Sequence, residues 1–67
     1  MSFEKKIYDL IEQVIPSTDA EFSFGSLYVF DLSDAQANLL LTKLRDFVLC
    51  GVQMSGRFGN EIAYDFT

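Results

Sequence analysis

Arg57 lies between two glycines in the segment Gly56-Arg57-Phe58-Gly59-Asn60, close to the end of a 67-residue chain. A guanidinium group matches the shape of a carboxylate or a phosphate, so Arg57 is a candidate anion anchor. A phosphate-binding loop, however, needs a longer glycine pattern that leads into a helix with its lysine, and this segment leads into a strand-like run. We therefore interpret the segment as the tip of a hairpin. Arg57 is then predicted to lie on the open face of the sheet, where Asp65 or a neighbouring acid would pair with it.

Two acids form the next candidate site. Asp31 and Asp65 take matching places near the ends of two strand-like segments. If these ends lie together, the two carboxylates could bind a divalent cation or transfer protons. The surrounding alternate positions are polar, which favours two solvated acids without a chemical role.

The remaining residue types argue against catalysis. Cys50 is the only cysteine and no Lys, Arg or His lies beside it in sequence, so a buried and inert thiol is predicted. The chain has no histidine, which excludes Ser–His and Cys–His catalysis and the usual zinc ligand sets within one chain. We predict that the protein is not an enzyme and that it holds no metal or cofactor.

Two helices are predicted from apolar residues at three- and four-residue spacing. The first begins after Ser2 as N-cap, has Glu4 in its first turn and ends near Ile15, because Pro16 disfavours helical geometry there. Lys5 and Asp9 should pair on its solvent side. Its apolar stripe comprises Phe3, Ile7, Leu10, Ile11, Val14 and Ile15.

The second helix begins at the capping box Ser33-Asp34-Ala35-Gln36 and is predicted to end at Gly51 as a left-handed terminator. Its predicted buried stripe comprises Ala37, Leu40, Leu41, Leu44, Phe47 and Val48. Leu39 and Leu49 fall off this stripe on the side that should meet water. Two such leucines on one short helix indicate a contact surface, so both are candidate interaction residues together with Arg57.

The segments 21–32 and 52–66 alternate between apolar and polar residues, which is typical of strands with one buried face. The even positions are predicted to be buried, with Val29 and Ala63 as apolar exceptions at odd positions. These even positions are Phe22, Phe24, Tyr28, Phe30, Leu32, Val52, Met54, Phe58, Ile62, Tyr64 and Phe66. Gly25-Ser26 and Gly59-Asn60 indicate two hairpins. A three-residue loop would preserve the parity and pair Phe24 with Tyr28 and Phe58 with Ile62, although one long first strand remains an alternative.

The element order is αββαββ, and the sequence predicts an α+β two-layer sandwich with two helices on one face of an antiparallel sheet of about four strands. Residues 1–67 form a single domain. An αββ internal repeat, 1–33 and 35–67, is a further hypothesis, because a shift of 34 residues places "FGSLYVFD" over "FGNEIAYD". Gly56, at an even position, is predicted to lie on the buried face, where a missing side chain lets a helix or strand approach.

Composition restricts the partners. The chain has ten acidic and five basic residues, and its net charge of −5 is contributed by residues 1–34. Scattered cations argue against direct nucleic-acid binding, and a partner with a basic surface suits the acidic half better. No run approaches the ~20 apolar residues of a membrane span, and a lone cysteine fits a reducing compartment, so a cytoplasmic location without membrane contact is expected.

The size of the chain leads to the functional hypothesis. A 67-residue chain with 49% apolar residues is near the lower limit for an independent core, which favours a homodimer. We expect a small acidic, non-catalytic protein-interaction module that associates with itself and acts as an adaptor or regulator. The alternative is an acidic inhibitor that mimics nucleic acid, of the type made by phages and mobile elements.

Overall fold

The computed structural model describes residues 2–48 and 51–66. Its elements follow the predicted order αββαββ. They are helix α1 (Phe3–Val14), strands β1 (Ala20–Ser23) and β2 (Ser26–Phe30), helix α2 (Asp34–Phe47), and strands β3 (Val52–Phe58) and β4 (Glu61–Phe66). The chain is therefore an α+β domain with two hairpins, and the alternative of one long first strand is wrong.

Helix α1 forms as its sequence predicts. The Ser2 hydroxyl accepts a hydrogen bond from the Lys5 backbone N–H at 3.1 Å, which satisfies one of the N–H groups at the start of the helix. The Lys5 ammonium lies 2.9 Å from the Asp9 carboxylate on the solvent side. The hydrogen bond to Asp9 and the charge of this carboxylate raise the pKa of Lys5. The helix ends at Val14 with Ile15 as its C-cap, directly before Pro16.

Helix α2 begins at the predicted capping box, in which Ser33 and Gln36 each accept a hydrogen bond from the other's backbone N–H. Its end differs from the prediction. Val48 is the C-cap and leaves the helix in an extended conformation, so Gly51 lies beyond the end and does not terminate it. Phe47, predicted to be buried, is 43% exposed as the last helical residue. The buried stripe consists of Ala37, Leu40, Leu44 and Val48, with Leu41 partly buried.

The four strands form one antiparallel sheet in the order β1-β2-β4-β3, so the two hairpins lie side by side with β2 and β4 in the centre. The sheet and both helices share one core. The Tyr64 hydroxyl of β4 donates to the Ala37 carbonyl of α2 at 2.9 Å, and the Phe3 ring of α1 lies 5.6 Å from the Phe66 ring of β4. We call the sheet face that carries Tyr64 the inner face.

The first hairpin turns in two residues, and the predicted three-residue loop is wrong. Ser23 pairs with Ser26, and the turn residues Phe24 and Gly25 have φ of 51° and 79°. Positive φ at both positions is typical of the two-residue turn whose twist matches that of the flanking strands. Phe24 therefore stands at the tip, fully exposed, and does not pair with Tyr28.

This turn reverses the predicted faces of β2. Because the loop has two residues, the buried side of the strand carries Leu27 and Val29, which are 0% exposed. Tyr28 and Phe30, predicted to be core residues, point away from the helices and are only partly buried. The buried positions of β4 follow the prediction, with Ile62 and Tyr64 on the inner face.

A β-bulge changes the faces of β3. Met54 pairs with Tyr64, but Gly56, two residues later, pairs with the next residue back, Ala63. The extra residue at Ser55 shifts the register by one, so Val52 and Met54 belong to the inner face whereas Gly56 and Phe58 lie on the opposite face. The predictions that Phe58 and Gly56 lie on the buried face are wrong for this reason.

The second hairpin also closes through two residues, Gly59-Asn60, with Phe58 paired to Glu61 rather than to Ile62. The two turns, Phe24-Gly25 and Gly59-Asn60, lie 35 residues apart, not the 34 of the sequence alignment. Phe24 is a turn residue whereas Phe58 ends a strand, so these two phenylalanines are not equivalent in the fold. The internal repeat itself stays a prediction.

Candidate interaction surface

The sheet face opposite the helices carries a group of apolar and acidic side chains, which we call the open face. It is built by alternate residues of neighbouring strands, as fixed by the pairing of Tyr28 with Ala63, of Ala63 with Gly56 and of Phe30 with Glu61. Its residues are Glu21 and Ser23 of β1, Ser26, Tyr28 and Phe30 of β2, Glu61, Ala63 and Asp65 of β4, and Gln53, Gly56 and Phe58 of β3.

The Phe58 ring lies beside Gly56 on this face. A Cβ atom at Gly56 would lie 3.7 Å from the Cζ atom of Phe58, which is an ordinary van der Waals contact. Ala63, the strand partner of Gly56, is only 3% exposed although no helix lies on this side. Its other strand partner is Tyr28. Phe58 itself remains 61% exposed.

Glu61 lies between two aromatic residues. Its strand partners are Phe30 on β2 and Phe58 on β3, and directly opposed side chains in a sheet have Cβ atoms about 5 Å apart. Glu61 is half-buried. Within residues 2–48 and 51–66, its carboxylate takes part in no hydrogen bond or ion pair. A negative charge therefore stands in an aromatic setting without a cation from the described part of the chain.

The basic residues lie elsewhere. They are Lys5 and Lys6 on α1, Lys43 and Arg45 on α2, and Arg57 on β3. The open face carries three carboxylates, Glu21, Glu61 and Asp65, the last of which accepts a hydrogen bond from the Ser26 hydroxyl at 2.6 Å. The open face is thus both apolar and acidic, whereas all the positive charge is on the helices or turned toward them.

Arg57 is turned toward α2 by the bulge, which corrects its predicted place on the open face. Its strand partner is the inner-face residue Ile62. Its guanidinium donates to the Leu32 carbonyl at 3.2 Å and forms an ion pair with Asp34 in the first turn of α2. The predicted partner Asp65 is on the other face. Arg57 and Asp34 line a groove of about 300 Å³ between α2 and β3, and an anion there would have to displace the Asp34 carboxylate.

Of the other two candidate interaction residues, Leu39 is 46% exposed on the outer side of α2, as predicted. Leu49 lies outside the described residues, as does Cys50. Phe3 and Tyr8 of α1 are also partly exposed, but they are packed edge to face against Phe22 of β1.

The two acids singled out from the sequence are not brought together. Asp31 follows β2 and accepts a hydrogen bond from the Asn60 side chain at 3.0 Å. Asp65 lies at the other end of the β2–β4 pair, opposite Ser26. Within the described ranges, no three acidic or thiol side chains come together as a possible metal site. Neither α1 nor α2, the helices of the described chain, is long and apolar enough to span a bilayer.

Tyr64 is the one titratable group that the core perturbs strongly in the described chain. Burial raises the pKa of its phenol to about 12, although the nearby Arg57 charge partly opposes this effect. Its hydroxyl is satisfied by the Ala37 carbonyl. Tyr64 thus has a structural position between sheet and helix.

The aromatic residues of the open face were missed because they were predicted to be core. The signal that could have found them is the apolar residue at an odd position, Val29, which marks the buried side of β2. Ala63, the other apolar residue at an odd position, is a small residue on the open face between Tyr28 and Gly56.

Comparison of the chain with models of protein families, with curated protein sequences and with solved structures found no match. What the protein does is therefore inferred from its own side chains.

Proposed function

We propose that the protein is a small, non-catalytic protein-interaction module that acts as an adaptor or regulator, and that the open face is its main contact surface. The observation that carries the proposal is the group Tyr28, Phe30 and Phe58 on a sheet face without a covering helix. Aromatic side chains dominate the energetics of protein contacts, because they bury large rigid surfaces at a small cost in conformational entropy. In a chain of this size they would otherwise be expected in the core.

The arrangement of polar groups agrees with a contact surface rather than a reaction site. The open face is the surface of a four-stranded sheet, whereas a small-molecule site is usually a concave pocket. Its polar residues, such as Glu21 and Glu61, lie among apolar ones. Protein interfaces are enriched in aromatic residues and carry polar residues mainly at their rim.

We also propose that the module forms a homodimer through the outer side of α2. Leu39 supports this part of the proposal, as a large apolar side chain 46% exposed at the middle of a helix. The open face is a poor surface for a symmetric dimer, since two copies would place their carboxylates against one another. Contacts between copies and contacts with a partner would then use opposite sides of the domain.

The contact with a partner is tested by capture from cells of the source organism. The double variant Phe30→Ser/Phe58→Ser should lose a protein that the wild-type chain retains, whereas Leu39→Ser should retain it. Circular dichroism melting shows whether each variant is folded. Retention of the same proteins by the folded double variant would contradict the use of the open face.

Self-association is tested separately by sedimentation velocity at several concentrations. The wild-type chain should dissociate from dimer to monomer on dilution, and Leu39→Glu should be a monomer throughout. Asn38→Glu is the matched control, because it adds the same charge at an exposed position of the same helix, and residues adjacent in sequence do not share a helix face. A wild-type chain that is monomeric at every concentration would rule out the dimer.

A further inference from the structure

The open face has a charge distribution that selects its partner. It carries Glu21, Glu61 and Asp65 and no basic residue, while all five cations of the chain lie on or toward the helices. A second copy of this face would therefore meet it with like charges, which costs rather than gains free energy. The complementary partner is a protein surface that combines apolar and basic side chains.

The position of Glu61 indicates where a basic group of the partner would bind on the open face. Strands in a sheet lie about 4.8 Å apart, so Phe30 and Phe58, on the strands either side of β4, are separated by about twice that spacing. The carboxylate of Glu61 originates between them, and Tyr28 and Ala63 continue the surface along the strands. A cation above this surface would contact aromatic rings on two sides and a carboxylate at its centre.

We propose that the open face binds an arginine side chain of a protein partner, with Glu61 as its counter-ion and Phe30 and Phe58 beside it. A guanidinium group stacks on aromatic rings and forms two parallel hydrogen bonds to a carboxylate. Arginine fits better than lysine, because its planar group is more weakly hydrated and can do both at once. The proposal rests on the use of the open face as a contact surface, and it adds the chemistry of the partner.

Peptide binding followed by amide NMR shifts tests the proposal. The probe is the acetylated and amidated peptide Ser-Val-Arg-Val-Arg-Val-Ser. The comparison peptide contains citrulline in place of each arginine, which keeps the shape but removes the charge. The arginine peptide should shift the amides of Phe30, Phe58, Glu61 and Ala63 and bind more tightly than the citrulline peptide. A lysine peptide should lie between the two.

Matched variants identify the counter-ion. Glu61→Gln should weaken binding of the arginine peptide roughly two- to fivefold, as expected for one partly exposed charge pair, and should leave citrulline binding unchanged. Glu12→Gln removes the same charge from the exposed side of α1 and should change the affinity by less than about twofold. Phe30→Leu keeps an apolar side chain but removes the ring, and should weaken the arginine peptide more than the citrulline peptide.

Three results would overturn the inference. Equal binding of the arginine and citrulline peptides would make the open face an apolar contact surface without cation recognition, and the proposed function would stand. Equal effects of Glu12→Gln and Glu61→Gln would show a diffuse attraction to an acidic protein. No shifts on the open face with any peptide would exclude arginine recognition, while the capture experiment would still decide whether that face is a contact surface.

Discussion

The two faces of strand β2 both carry large apolar side chains and differ in what covers them. Leu27 and Val29 are fully buried under the helices, while Tyr28 and Phe30, which alternate with them along the same strand, are only partly buried on the open face. Hydrophobicity alone therefore does not separate the core of this domain from its surface. The length of the preceding turn separates them, because a turn that is longer or shorter by one residue moves every side chain of the strand to the other face.

Strand β3 shows the same effect within a single strand. Before the bulge at Ser55 its large residues Val52 and Met54 belong to the inner face, and after it Phe58 belongs to the open face. The bulge also turns Arg57 toward α2. The extra residue in the bulge thus places Phe58 on the open face. It also removes Arg57, the only basic residue predicted to lie there.

Truncation of neighbouring residues on β2 should separate the two faces most clearly. Leu27→Ala, and Leu44→Ala on α2, should each lower the free energy of unfolding by roughly 2 to 5 kcal/mol, as core truncations do. Phe30→Ala should cost about 1 kcal/mol, because its ring is partly exposed and leaves no enclosed cavity. Denaturant titration of the three variants measures these differences.

The alternation of the sequence leads to the opposite expectation, in which Phe30→Ala is as costly as Leu44→Ala. A loss of 2 kcal/mol or more for Phe30→Ala with little loss for Leu27→Ala would therefore reverse the assignment of faces. Similar losses for both would indicate that another part of a dimer covers the open face, and they should then depend on protein concentration.

The helices could be predicted from the sequence because their signals are local. The Ser2 cap, the Lys5–Asp9 pair and the capping box at Ser33 each involve residues three or four positions apart, and all are present in the structure. The order of elements and the α+β class follow from the same local patterns. The exposure of Leu39 could also be predicted, since it lies opposite the buried stripe.

The faces of β2 and of the second part of β3 could not be predicted because they depend on single residues at a turn and at a bulge. Phe24 is unusual at a turn position with positive φ, since glycine, asparagine and aspartate are preferred there. Alternation therefore favoured a strand position for it. The bulge at Ser55 has one signal in the sequence, Gly56, since an isolated glycine in a strand indicates either a bulge or a close approach of another element. The second interpretation assigns Arg57 and Phe58 to the wrong faces.

The inner face can be tested through the pH dependence of Tyr64. The folded state holds the phenol proton up to a pKa of about 12, compared with 10.0 for an ordinary tyrosine. Because the unfolded chain releases this proton first, the stabilisation is complete below about pH 10 and is lost as the pH rises from 10 towards 12. Denaturant titrations across this range should show a steeper loss of stability for the wild type than for Tyr64→Phe.

Tyr64→Phe serves as the control for other groups that titrate at high pH. It also loses the hydrogen bond to the Ala37 carbonyl, so its stability at neutral pH should be lower by about 1 kcal/mol. Identical pH profiles for the two proteins would mean that the Tyr64 hydroxyl reaches solvent.

Substitution of Phe24, in the turn of the first hairpin, should stabilise the protein. Phe24 has a φ of 51° and is fully exposed, so its side chain contributes little packing while its backbone is strained. Phe24→Asn should raise the free energy of unfolding by roughly 0.5 to 1 kcal/mol, because asparagine tolerates this conformation. Phe24→Val is the contrasting variant and should lower it, since a β-branched residue is disfavoured at positive φ. A melting temperature lowered by both would show that the ring has a stabilising contact.

The smallest effect is expected at Arg57 and tests on which face its side chain lies. Arg57→Ala should cost under about 1 kcal/mol, because its ion pair with Asp34 is exposed to solvent. A double-mutant cycle with Asp34→Ala should give a coupling of about 0.2 to 1 kcal/mol at low salt that decreases as salt is added. The same cycle with Asp65→Ala should give no coupling, since that carboxylate lies on the open face.

Coupling to Asp65 instead of Asp34 would place Arg57 on the open face, remove the bulge from β3 and provide Glu61 with a cation from its own chain. In that case the open face would have no need of a basic partner.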